Sequence, residues 1–189
     1  MTGTGRTATT QRDPFEPFAI DSNCCGRGHL AQALKSMTSE YTFEVVRELT
    51  EEEVSSLAKD RYPSLLAISS RYLPEIDLKT GFPCKPEFLD ALRTSWLLDK
   101  SKDRPPHVTV IRALGPALGL ILHASLGMTW CLIKDTFGES VSMVGSDHDG
   151  GRISVPPFSY VEKREHVQNA EVFIDLISLL SSRLAPQAA

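Results

Sequence analysis

Three short stretches carry side chains with chemical potential. Cys24-Cys25-Gly26-Arg27-Gly28-His29 brings two thiols and an imidazole within six residues. Thiolate and imidazole both bind zinc, but a structural site needs four protein ligands, and Cys84 and Cys131 carry no partner motif. A nucleophilic Cys–His pair would need a base placed in space, and spacing along the chain does not supply that. Cys24, Cys25 and His29 therefore stand as weak metal candidates, and the reading of the sequence assigns no metal and no cofactor. Gly26-Arg27-Gly28 could cradle a phosphate through backbone amides, but no hydrophobic strand precedes it and the full phosphate-loop pattern is missing.

Asp147-His148-Asp149 offers oxygen and nitrogen ligands, followed at once by Gly150-Gly151. Calcium loops space their acidic residues differently and end on a distal glutamate, so a turn is the better reading. His123 lies in an apolar run and reads as a hydrogen-bonded core or rim residue. No catalytic residue is assigned. Phe137, at the tip of a predicted turn between Asp135 and Glu139, is a contact residue for a partner rather than a core residue. The candidate partner-binding set is accordingly Asp135, Phe137, Glu139, Asp147, His148 and Asp149.

Composition narrows the function classes. The 189 residues carry 41% hydrophobic and 23% charged side chains and a formal net charge of −4, as an ordinary globular chain does. Lys and Arg are scattered with no basic stripe, which argues against nucleic acid as partner. The longest apolar run, Ala113–Met128, falls short of about 20 residues and contains His123, so no membrane partner is expected. The Thr- and Gly-rich start has no apolar signal region, and reduced thiols in a cytoplasm follow.

The elements that must position these residues follow from periodicity and capping. A helix from about His29 to Met37 and a short strand over Tyr41–Val46 are predicted first. Thr50-Glu51-Glu52-Glu53 is a capping box. Pro63 either kinks that helix or starts another, and Pro86 suits the first turn of the next, whose apolar residues are Phe88, Leu89, Leu92, Trp96 and Leu97. A polar linker over residues 101–106 is the best candidate boundary. A very apolar helix follows, with a kink or break expected at Gly115 because of Pro116, and Gly127 as its left-handed cap. Residues 128–134, 140–144 and 153–155 read as an antiparallel meander. Ser159 is read as the cap of a short turn through His166, and Asn169 as the cap of a last helix with Val172, Phe173, Leu176, Ile177 and Leu180 inward.

Ala113-Leu-Gly115, Leu118-Gly119, Gly127-Met-Thr-Trp130, Asp135-Thr-Phe-Gly138, Pro157-Phe-Ser-Tyr-Val-Glu-Lys-Arg164 and Glu171-Val-Phe-Ile174 carry a resemblance over residues 105–184. The stretch resembles a bacterial family of unknown function built from a helix, a strand hairpin and a closing segment. The resemblance implies a solitary cytoplasmic protein, in some cases beside polymorphic-toxin or type VI secretion systems, and hence an immunity role. It brings no catalytic residues. It also suggests that Lys163-Arg164 pins the closing segment against the acidic hairpin turn.

The expected fold is α+β, several helices packed on an antiparallel sheet of about three strands. Residues 1–19 read as a tail and 20–104 as a helical N-terminal region. Residues 105–184 form the helix–meander–helix unit, making one cooperative body with 20–104. The expected function is a non-enzymatic immunity protein that occludes the active site of a cognate protein toxin. The alternative is a metal- or small-ligand-binding protein, or an enzyme, built on Cys24, Cys25 and His29.

Overall fold

The computed structural model describes residues 42–184 apart from 60, 79–80, 165–166 and 168, all within the second of two units, Thr42–Ala189. The predicted 29–37 helix and the Cys24/Cys25/His29 cluster lie outside the described residues. The elements are strand β1 (Glu44–Glu48), helices α1 (Glu51–Lys59), α2 (Tyr62–Tyr72), α3 (Pro86–Leu98) and α4 (His107–Leu126), strands β2 (Thr129–Asp135), β3 (Gly138–Ser146) and β4 (Arg152–Val155), and helices α5 (Pro157–Arg164) and α6 (Val172–Ser181). The class is α+β, as the sequence indicates. The sheet has four antiparallel strands in the order β1-β2-β3-β4, rather than about three. The fourth is β1, which overlaps the short strand expected over Tyr41–Val46 and pairs with β2 across a bulge between Val45 and Arg47.

Local chemistry explains most boundaries. Thr50 and Glu53 close the predicted box: the Thr50 amide donates to Glu53 Oε2 at 2.9 Å and the Glu53 amide to Thr50 Oγ1 at 3.2 Å. Pro63 does not kink α1; it falls in the first turn of α2, where a missing amide costs nothing. Pro86 plays the same part in α3. Gly127 adopts φ +63°, and its amide bonds the His123 carbonyl at 2.9 Å, ending α4 in the αL cap, with the Met128 amide reaching the Leu122 carbonyl at 3.4 Å.

The expected break at Gly115 is absent, since α4 runs unbroken through Pro116. Burial overrides the local penalty here. Every residue from Ala113 to Gly119 is buried, and the surrounding core holds the helix across the missing hydrogen bond. A Cβ at Gly119 would overlap the Trp130 indole, and one at Gly115 would overlap the Phe158 ring. Both glycines let β2 and α5 approach α4 closely. By length and composition α4 could cross a membrane, but its apolar character is accounted for by its place at the centre of the core.

One face of the sheet, with Trp130, Met143 and Val155, joins that core. Cys131, Ile133 and Ser142, which alternate with them, are also buried. The core runs from Leu65 in α2 through α3 and α4 to Leu184, so the 101–106 linker does not divide it. Two further capping expectations are corrected. Ser159 does not start a helix, because α5 begins earlier, at Pro157. Asn169 does not cap α6; its carboxamide oxygen accepts the Glu171 amide at 3.1 Å, and the cap comes from another helix.

Candidate functional site

The β2–β3 connection is a two-residue turn, Thr136-Phe137, between the paired Asp135 and Gly138. Gly138 has φ +121°, a conformation that side chains beyond glycine rarely adopt. Asp135 Oδ1 accepts the Phe137 amide at 2.7 Å, the local side-chain-to-backbone bond by which an aspartate shapes a turn. The ring is nevertheless 90% exposed, the most exposed large apolar side chain among the described residues. Around it, Glu139 pairs in register with Lys134, and Lys134 with Glu44; all three are exposed.

The other predicted contacts lie elsewhere. Strand β3 separates the two turns, and nine residues of strand span about 27 Å. Asp147, His148 and Asp149 therefore do not form one patch with Asp135, Phe137 and Glu139. Asp147 braces its own turn: Oδ1 accepts the Gly151 amide at 2.6 Å and the Asp149 amide at 3.0 Å. Its carboxylate would also collide with a Cβ at Gly151. The side chains of His148 and Asp149 are exposed. No group of three His, Cys, Asp or Glu side chains among the described residues could hold a metal ion. Cys84 is exposed and Cys131 buried, both as free thiols, and burial pushes the Cys131 thiol up.

Sequence reasoning missed the two buried charges. Asp90 and Arg93, 4% and 1% exposed, stand three residues apart on α3 and grip the α5–α6 connection from one side. The Arg93 guanidinium donates to the carbonyls of Arg164 at 3.1 Å, Val167 at 2.7 Å and Asn169. The Asp90 carboxylate accepts the amides of Phe173 and Ile174 at 3.1 Å. Each charge meets the helix end of opposite partial charge: the cation reaches the last carbonyl of α5, at Arg164, and two carbonyls of the connection beyond it, and the anion takes the first amides of α6. Burial pushes Asp90 up, opposed by those amides and by Arg93. Burial pulls Arg93 down, opposed by Asp90 and Tyr160. The signal lay in the helix pattern, because Arg93 interrupts the stripe Leu89, Leu92, Trp96.

A second polar cluster ties α2 to the α3–α4 linker. Arg71 donates to Asp99 at 2.9 Å and to Asp103 at 3.0 Å, and the Tyr72 hydroxyl donates to Asp99 at 2.7 Å. Hydrogen bonds from Ser101, Tyr72 and Arg71 hold Asp99 well below the usual carboxylate range. Arg71 takes Asp103 down to about 2. Burial pushes the Tyr72 hydroxyl up to about 12, with the Asp99 charge adding to it. Arg164, expected against the hairpin turn, has its guanidinium 4.1 Å from the centre of the Tyr160 ring.

The chain matches no protein-family model, no curated protein and no solved structure.

Proposed function

We propose that this chain is a non-enzymatic binding protein of the immunity type, which neutralises a cognate bacterial toxin in the cytoplasm by occluding its active site. One observation carries the reading: Phe137, 90% exposed, stands at the tip of a tight two-residue turn whose backbone is shaped by the Asp135 carboxylate and Gly138. An exposed aromatic on a pre-organised turn loses little conformational freedom on binding, which is how interface anchors gain affinity. Glu139 and Glu44 flank Lys134 and, with Asp135, leave the surroundings of the turn acidic on balance; together with the net charge of −4 this favours a basic partner, whose approach it would accelerate. The immunity role enters this proposal through the likeness expected from the sequence over residues 105–184, to a family of unknown function with some members beside toxin systems.

Co-expression with the product of the adjacent gene tests it. Protection of the host cell, together with a complex recovered at equal stoichiometry, supports the reading. If the chain neither binds that product nor protects cells expressing it, the reading fails.

A further inference from the structure

Helix α6 is tied at both ends, to α3 at its start and to the β3–β4 turn after its end. At its start the Phe173 and Ile174 amides sit on the Asp90 carboxylate, and the Glu171 side chain at the cap position makes no capping bond. Immediately after its end the Arg183 carbonyl accepts the His148 amide at 3.2 Å, and Leu184 forms a backbone bridge with Asp147. The Leu184 side chain fills the space over Gly145, where a Cβ would stand 2.8 Å from it. Between these ties Val172, Phe173, Leu176 and Leu180 are buried. Ten helical residues make a rod of about 15 Å, so α6 spans from the Asp90 carboxylate to the β3–β4 turn.

We propose that Asp90 and Arg93 form a latch on α6, and that the latch sets the order of the β3–β4 turn carrying Asp147, His148 and Asp149. With the latch closed, α6 holds Arg183 and Leu184 where the turn needs an acceptor and a packing partner. With it open, the turn loses both, although its own bonds from Asp147 remain. Asp90 is a positioning residue for that turn. Control of a partner at the turn rests on the proposed binding function, whereas the coupling itself is measured on the chain alone.

Amide hydrogen exchange on the full chain tests the coupling. In Asp90→Asn, which keeps the shape and loses the charge, the Phe173 and Ile174 amides and the distant His148 amide should all exchange at least about fivefold faster, the low end for coupled sites. The Trp130 and Ile133 amides in β2 should keep their protection. A rise confined to Phe173 and Ile174, or one uniform across the chain, overturns the proposal. Coupling is reciprocal, so Leu184→Ser, made at the other end, should speed exchange at Phe173 and Ile174 with the latch residues intact. That variant decides the matter alone if Asp90→Asn does not fold; unchanged exchange at Phe173 and Ile174 overturns the latch.

Discussion

The β2–β3 turn and the inner side of α3 invert the usual placement of side chains in opposite ways. At the turn an aromatic ring is held in water; on α3 a carboxylate and a guanidinium are held out of it. The charges have partners within the chain, because Asp90 meets the first amides of α6 and Arg93 meets carbonyls of the α5–α6 connection. Phe137 has none. Asp135 and Gly138 fix the backbone beneath it, and no packing contact within the core holds the ring. A buried charge whose partners lie within the chain speaks of architecture. An exposed aromatic at the tip of a tight turn speaks of something outside the chain.

That contrast breaks most easily at α3. Asp90→Ala leaves Arg93 without its countercharge and strips the cap from α6, and breaking such a buried set costs about 3–5 kcal/mol. Denaturant unfolding measures it, and a loss below about 1 kcal/mol would show that the clamp does little for stability. Gly119→Ala comes next, since its methyl would meet the Trp130 indole; overpacking of this kind costs about 1–3 kcal/mol. The same unfolding experiment checks it, and a neutral result would mean that Trp130 shifts freely.

Alkaline pH gives a smaller effect with a definite sign. Burial holds both the Tyr72 and Tyr160 hydroxyls up at about 12, above the ordinary value near 10. The folded state therefore prefers the neutral phenols. Their contribution is complete below pH 10 and is lost as the pH rises from 10 through 12. Absorbance titration of tyrosinate alongside unfolding curves reads both quantities, and titration of these two at pH 10 in the folded chain would refute their burial. Acid acts on the other side: Arg47 and the Thr50 amide hold Glu53 down at about 2. The capping box should then weaken as the pH falls from about 4.5 toward 2, visible as a small loss of helical signal that Glu53→Gln would remove.

What was legible in the sequence was local. Thr50 and Glu53 are three residues apart, Pro63 and Pro86 mark first turns by their own chemistry, and Gly127 ends α4 because the helix needs a left-handed residue there. Asp135-Thr-Phe-Gly138 gave the tightness of its turn and the exposure of Phe137. The rest depends on contacts remote in the chain. The cap of α6 comes from Asp90, 83 residues before Phe173, so Asn169, the nearer capping residue, was the natural and mistaken choice. The fourth strand required β1 to find β2 across the whole of α1–α4, and no pattern within Glu44–Glu48 announces that. Pro116 lowers helical propensity, but the packing of Leu114, Leu118 and Leu122 outweighs it. The two candidate loops, Asp135–Glu139 and Asp147–Asp149, were legible as turns, but that each lies at its own end of β3 follows only from the strand pairing.

The alternative built on Cys24, Cys25 and His29 makes a separate demand, namely stoichiometric zinc. Elemental analysis of the purified chain should find none; zinc at one per chain, lost in Cys24→Ser, would move the function to that cluster.

The most direct test of the binding account is Phe137→Ala, followed by unfolding and by toxin protection in co-expressing cells. Removal of a ring already 90% exposed should leave stability within about 0.5 kcal/mol of the parent. Loss of an interface anchor should weaken binding by about 2 kcal/mol or more and abolish protection. A variant of unchanged stability that binds and protects as well as the parent would contradict the claim that this turn is the docking site.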